Sequence, residues 1–299
     1  MAVLGQDGDV ITRRESLRPQ LWWLVIPAGL FFLAFFAAPV LSLFAIAFDK
    51  PVAGVVTFQG DFDLANFERF FRRASYYMAA VRSVGIAAAV ALVCVLLGYP
   101  LAYLIAKTDH PGRNTALMIL VLAAMQLDMV IRLYGLMVLM GDKGLINSLL
   151  MSLGLIEEPL PLMYNTFGVV AGLVQFTLPF MVLSLIGVIR SIDPSLEEAS
   201  RSLGASRFQT FLKVTIPMSM PGILAGTLLV FALSISSYVV PALMGGWKVV
   251  VLPIHIYQQI AELGRWQFGA AIAVILFSLS LLAVIVYQRL AARTSGGRV

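Results

Sequence analysis

Two ionisable side chains, Asp128 and Arg132, sit four positions apart inside a long apolar run. A charge at that depth of a nonpolar segment is costly unless it faces a cavity or finds a partner. Two readings are open. In one, Asp128 lines a polar path and attracts an ammonium group, with Arg132 marking its outer mouth. In the other, the two pair on one helix face and the Arg132 stem reaches back to the aqueous interface. Tyr134, Tyr238 and Trp247 present π-faces that suit an alkylammonium through cation–π contact, about 0.5–2 kcal/mol each. Aromatics also gather at the ends of membrane spans without any ligand. Ser234, Ser236, Ser237 and Tyr238 bring hydroxyls into another apolar stretch, where they serve either as a pore wall or as small contacts between packed helices. Glu262 lies in a loop and reads as a contact for a soluble partner or as a solvated charge.

No group of residues suits bond-making chemistry. His110 and His255 are far apart, and neither has a second ligand at metal spacing. Glu157 and Glu158 are adjacent, so on a helix they diverge. Neither a Ser–His–Asp nor a Cys–His arrangement can be assembled, and the one cysteine, Cys94, is a small filler in an apolar run. Gly245-Gly246-Trp247-Lys248 lacks the spacing and the Ser/Thr of a phosphate-cradling P-loop. The chain is therefore expected to be no enzyme, to hold no metal and to hydrolyse no nucleotide.

The elements that must position these side chains are apolar. The 299 residues are 60% hydrophobic and 12% charged, with a mean hydropathy of +0.91; a soluble domain carries about twice that charged fraction. Runs over 21–48, 78–106, 114–140, 166–189, 217–243 and 267–287 each approach or exceed the roughly 20 residues that cross hydrocarbon. The expected fold is all-α, with six transmembrane helices and a kink at Gly98-Tyr99-Pro100 in the second. Residues 1–20 form a polar tail, 21–290 a single transmembrane domain and 291–299 a second tail. Arg13, Arg14 and Arg18 precede a first run too long for a secretory signal, so it is read as an uncleaved span. The net charge of +5 serves topology rather than nucleic acid, because no basic cluster with interleaved aromatics occurs. The larger share of the 21 Lys and Arg residues falls on the side of the termini, which places both termini in the cytoplasm.

One loop differs from everything around it. Residues 190–216 are polar and charge-dense between two apolar runs. Asp193 suits a helix N-cap with Pro194 in the first position, and Glu197 and Glu198 near the N-terminus suit the helix dipole. Gly204 suits a left-handed terminator. Ser206 and Gln209 read as a capping box opening a second short helix with Phe208, Phe211 and Leu212 as its apolar face. Two short helices held at a membrane surface need something to dock into, and Glu198 is the residue expected to bridge to it.

Glu198, Ala199, Ser200, Gly204, Val214, Ile216 and Pro217 resemble the EAA signature of the inner-membrane permease subunits of binding-protein-dependent ABC importers, with Ser200 where a second Ala is usual. Residues 130–135, 237–246 and 265–270 are similar to the spermidine/putrescine branch of that family. Several members of the branch carry an acidic residue just before the stretch Leu243-Met244-Gly245-Gly246, where this chain has Ala242. The resemblance implies a type I ABC importer permease fold in a bacterial inner membrane, with a cytoplasmic coupling-helix loop between spans 4 and 5. Glu197, Glu198, Ala199, Ser200, Gly204 and Pro217 would couple to the ATPase. Asp128, Arg132, Tyr134, Ser237, Tyr238 and Trp247 are the candidates for the substrate path. It further implies a second, related permease, two ATPase subunits that bind the ATP and Mg, an extracytoplasmic solute-binding protein and surrounding lipid. The alternatives are a permease for another small amine, amino-acid-like or organic solute, and, from a different class, an ATP-independent secondary transporter or channel.

Overall fold

The computed structural model describes residues 22–50, 60, 62–108 and 110–295. The tail holding Arg13, Arg14 and Arg18, and the chain end from 296, lie outside the described residues. Helix α1 (Trp22–Phe32) passes through a π-helical turn at Leu33–Ala37 into α2 (Ala38–Ala47). The short α3 (Ala65–Arg72) leads to the 33-residue α4 (Ala74–Ala106). Next come α5 (Pro111–Gln126), α6 (Met129–Met140), α7 (Leu145–Ser152) and α8 (Thr166–Arg190). The polar loop folds as α9 (Pro194–Ser202) and α10 (Arg207–Thr210), followed by a π-helical turn, α11 (Ile216–Met218) and α12 (Met220–Ile235). After a second π-helical segment at Pro241–Gly245 come α13 (Leu252–Tyr257), a π-turn at Gln258–Glu262 and α14 (Trp266–Ser295). Among the described residues there is no strand.

Four helical stretches are long and apolar enough to cross a membrane: Ile26–Ala47, Ala74–Ala106, Thr166–Arg190 and Trp266–Arg289. Two bent pairs could each complete a further span. The first, Pro111–Gln126 with Met129–Ser152, turns through 101°, and the second, Arg207–Met218 with Met220–Ile235, through 63°. The expected continuous third span over 114–140 is thus broken. Leu127 is extended (φ −76°, ψ 135°), and the Asp128 carboxylate accepts from Val130 N at 2.8 Å and Ile131 N at 3.3 Å, capping α6 as a separate helix. Of the two readings of Asp128 and Arg132, the pairing one is not realised: the two form no ion pair, and the Arg132 guanidinium lies 5.7 Å from the Phe176 ring centroid. Pro100, in the expected kink Gly98-Tyr99-Pro100, does not end its helix: α4 continues to Ala106, with Gly98 packed on Met181 and the Tyr99 hydroxyl bonded to Ser219 Oγ at 2.8 Å. The fifth run leaves its helix at Ile235, and Ser236–Tyr238 form a non-helical link rather than one wall of a longer span.

The core lies where α4, α8 and α12 pack on one another. Cys94, Leu173, Met181, Leu185 and Val230 are fully buried there, and Thr177 hydrogen-bonds both Cys94 Sγ and the Leu173 carbonyl. Between helices already in lipid, apolar contact adds little over lipid contact, so close backbone approach must supply the cohesion. Gly172 shows this: a Cβ there would stand 2.7 Å from Val240 Cγ1 and 3.3 Å from Leu133 Cδ2, both branched and fully packed. Phe31, Phe35, Leu92 and Leu96 point outward, as lipid-facing side chains do.

Gly172→Leu is expected to lower thermal stability in detergent by about 1–3 kcal/mol equivalent through overpacking. Gly187→Ala, on the same helix with nothing within 4 Å of its added Cβ, should leave the melting curve unchanged. Equal melting of the two variants, followed by fluorescence, would remove the close-approach account of α8.

Candidate functional site

The loop after α8 is built from its caps outward. Asp193 accepts from Ser195 N at 2.9 Å, and these Ser195 bonds hold its exposed carboxyl below the usual carboxylate range. Pro194 fills the first turn of α9, where a missing N–H costs nothing. α9 stops at Ser202, and Gly204 follows with φ +89°, a backbone that L side chains resist. Ser206 and Gln209 satisfy each other's backbone N–H groups at 3.2 and 3.0 Å. Ser200 Oγ and Thr210 Oγ1 lie 3.1 Å apart and tie the two short helices together.

Glu197 faces inward. It is 8% exposed, its Oε1 lies 3.0 Å from Lys107 Nζ, and it accepts from Thr215 Oγ1 at 3.0 Å. Lys107 caps α4 and Thr215 closes the π-turn before α11, so one carboxylate joins three segments. Phe211 reinforces the joint edge-on against Tyr99 and Tyr103, at centroid distances of 5.6 and 5.3 Å. The opposite surface is open. Glu198 and Ala199 are exposed, Ser200 is half-buried, and Leu203 is 89% exposed beside Leu196 and Phe208. Of the expected apolar face of α10, only Phe211 turns inward; Phe208 and Leu212 stay exposed. Pro217 is exposed two residues before the bend at Ser219.

The second constellation is at the other end of the molecule. Leu252 N donates to Ser83 Oγ at 2.9 Å and Arg82 to the Val250 carbonyl at 3.1 Å, which pins α13 to the early part of α4. Ser83 is about 36 Å along the helix from Lys107 at 1.5 Å per residue, a little more than the roughly 30 Å of hydrocarbon. There Tyr238, Ala242, Gly246, Trp247, Ile254, Tyr257, Gln258 and Glu262 line a cleft of ≈ 320 Å³. Tyr238 and Tyr257 stack at 4.7 Å and 29°. Trp247 is 76% exposed at the rim.

This arrangement brings together Tyr238 and Trp247 of the expected aromatic set, and leaves Tyr134, exposed on α6, outside it. Ser237 is half-buried in the link after α12 and does not line the cleft. Asp128 is exposed at the α6 cap, and Arg132 is half-buried with its Nε unpartnered. Neither lines the cleft. Sequence reasoning missed Tyr257, and took Glu262 as a contact for a soluble partner or a solvated loop charge. The aromatic–acid spacing of five between them was the available signal, and the π-turn at Gln258–Glu262 is what brings both to one cleft. No three His, Cys, Asp or Glu residues among those described are grouped to hold a metal.

Several apolar spans, a capped polar knob at one end and a cleft toward the other define a polytopic helical membrane protein with a transporter's layout. Over residues 16–296 the chain belongs to the binding-protein-dependent transport system inner membrane component family. The spermidine/putrescine transport system permease protein PotB of Escherichia coli (strain K12) is 38% identical over 228 residues, covering 76% of this chain and 82% of that protein. PotB of Haemophilus influenzae is 36% identical over 214 residues, covering 72% and 74%. In fold, the chain is similar to a bacterial alginate ABC transporter crystallised with an alginate pentasaccharide-bound periplasmic protein, with TM-score 0.75 at 16% identity over 94% of this chain and 96% of that one.

Removing one partner of the Glu197 joint leaves the other charge stranded. With side chains 22% and 10% exposed, the loss is expected to fall below that of fully buried pairs, at about 1–3 kcal/mol. Glu197→Ala should lower the melting temperature and speed amide exchange across 194–215. Combining Glu197→Leu with Lys107→Met should regain most of the stability, because an apolar pair leaves no stranded charge. No difference between the single and double changes would show that the ion pair is not the joint.

Proposed function

We propose that this chain is a permease subunit of an ATP-driven importer for a polyamine such as spermidine or putrescine. Its six spans would include the two bent pairs, with both termini in the cytoplasm and the loop over 190–216 as the coupling loop. The partners are a second, related permease, two cytoplasmic ATPase subunits that bind ATP and Mg, and an extracytoplasmic solute-binding protein. The substrate class is supported by the PotB relatives named above. The observation that carries the mechanism is the two-sided coupling loop: an outward face of Leu196, Glu198, Leu203 and Phe208, and an inward face locked through Glu197.

That division of labour is what force transmission requires. Glu198, Ala199 and Ser200 meet the ATPase groove, and the left-handed Gly204 sets the angle at which α9 enters it. Displacement of α9 passes through Glu197 to Lys107 at the end of α4, and through Thr215 and Pro217 into α12. α4 and α12 both pack on α8, so the core helices move with the loop. Solute must bind the inward- and outward-open states differently for ATP to drive the change, and the coupling is then reciprocal. Asp128, Arg132, Tyr134 and Ser237 remain candidates for the path in the assembled pair of permeases.

Reconstituted with its partner subunits, the complex should take up labelled putrescine or spermidine only with ATP and binding protein present; ATP-independent uptake would point to a secondary transporter. Leu203→Glu adds a charge at a fully solvated position, so insertion and expression should be unaffected. Its stimulated ATPase should fall about ten-fold or more through loss of an apolar docking contact. Wild-type stimulation in that variant would count against docking through this face.

A further inference from the structure

We propose that the basic cavity on the inner side of the 190–216 loop is a site for a phosphate group, held by Arg201, Arg207 and Lys107 at lipid-headgroup depth. The inference goes beyond the importer reading and does not depend on the substrate. The cavity, ≈ 350 Å³, is bounded by the end of α4, by α9 and α10, and by the π-turn that follows them. Three cations line it, Lys107, Arg201 and Arg207, against one carboxylate, Glu197. Glu197 is already matched by Lys107 at 3.0 Å and by the Thr215 hydroxyl. Two guanidiniums are left lining one space with no further acid to neutralise them.

These two arginines differ from others near this end of the molecule. Arg113 donates to Thr108 Oγ1 at 3.0 Å, and Arg190 donates to Asn114 Oδ1 at 2.9 Å. The side chains of Arg201 and Arg207 form no hydrogen bond, ion pair or ring contact with any described residue. Local structure sets where they stand. Arg201 follows Glu197 by four positions on α9, so it shares the face of Glu197 and not that of Leu196 and Leu203. The capping box at Ser206 and Gln209 fixes the start of α10, where Arg207 is the first residue. The Ser200–Thr210 contact at 3.1 Å then holds the two helices together. Both arginines are open to water, so a ligand reaches them without unfolding the loop.

A guanidinium donates in a planar fork that matches two oxygens of a phosphate. Two forks with an ammonium nearby suit a group with several oxygens better than a single carboxylate. Lys107 closes α4 about 36 Å from Ser83 by helical rise, a little beyond the roughly 30 Å of hydrocarbon. Leu104, one turn earlier, is 45% exposed, as a lipid-facing side chain is. The cavity therefore stands at the depth of phospholipid phosphates, and basic pockets at the ends of membrane helices take anionic headgroups. A phosphate held there ties α9 and α10 to the end of α4 beside the Glu197 joint. The same chemistry could be offered by a soluble phosphate, and the test separates the two sources.

The experiment uses the full-length chain with the subunits that accompany it on purification, in detergent micelles. Phosphatidylglycerol, phosphatidylcholine and inorganic phosphate are titrated separately. Bound lipid is counted by native mass spectrometry and the melting temperature is followed in parallel. Phosphatidylglycerol is expected to bind in preference to phosphatidylcholine and to raise the melting temperature. Arg201→Gln with Arg207→Gln should weaken its binding about ten-fold or more, the scale of losing two basic contacts to an anionic headgroup. Arg201→Lys with Arg207→Lys keeps the charge without the fork and should retain part of the binding. Arg289→Gln removes an exposed cation that does not line the cavity and should change nothing. Arginine-dependent stabilisation by inorganic phosphate, without preference for phosphatidylglycerol, would keep the site and assign it a soluble phosphate. Equal lipid binding by the wild type and the double Gln variant would overturn the site. So would an equal loss in Arg289→Gln, which would mean diffuse surface charge. Loss of an accompanying subunit from the double Gln variant with lipid binding intact would show that the arginines pair with protein, and would overturn it too. None of these outcomes bears on the importer reading, because no uptake is measured.

Discussion

The joint at Glu197 is the constraint on which the rest depends. A carboxylate 8% exposed carries a desolvation cost that only close partners offset, and it has two: the ammonium of Lys107 and the hydroxyl of Thr215, both at 3.0 Å. The three belong to the end of α4, to α9 and to the π-turn leading toward α12. A purely apolar contact there would tolerate sliding. A charge held by two donors has one good geometry, so the loop and the membrane helices keep a fixed relation. The Tyr99–Ser219 hydrogen bond repeats the same logic one layer deeper, joining α4 to the bend before α12.

Within the bilayer the molecule relies on fit rather than on expulsion of water. Apolar side chains gain little by leaving lipid for protein, so the contacts among α4, α8 and α12 depend on glycines and small residues that admit close backbones. Gly222 sets α12 against Val188, and Gly226 sets it against Met181 and Ser184. Polar side chains in this core satisfy themselves locally: Thr177 returns its hydroxyl proton to Leu173, and Ser184 bonds the Gly222 carbonyl. Such a core is closely packed on its inner face and open on its lipid face.

Much of this was legible in the sequence, for reasons that are local. The caps at Asp193 and Ser206 and the terminator at Gly204 depend on neighbours within a few positions, and the structure forms each of them. The apolar runs of α4, α8 and α14 are long enough to be read from composition alone. What failed was non-local. Asp128 has a carboxylate that competes for backbone N–H groups, and a periodic apolar pattern does not reveal that it caps a new helix rather than pairing with Arg132. Glu197 and Glu198 are indistinguishable by type; only the proximity of Lys107, ninety residues earlier, turns one inward. The cleft gathers residues from a non-helical link, a loop, α13 and a π-turn, so no single period exposes it.

The two sites are tied to α4 at points, Ser83 and Lys107, about 36 Å apart by helical rise. No side chain bridges that distance, so communication has to be mechanical. Two elements reach both ends: α4, from the Ser83–Leu252 contact to the Glu197 joint, and α12, from the bend at Ser219 to the link carrying Tyr238. Both are anchored on α8. α12 leads into the link that carries Tyr238, and α13 holds Tyr257 on α4, so a relative shift of α4 and α12 would change the spacing of the two rings. Their stacked rings at 4.7 Å are the contact most sensitive to such movement.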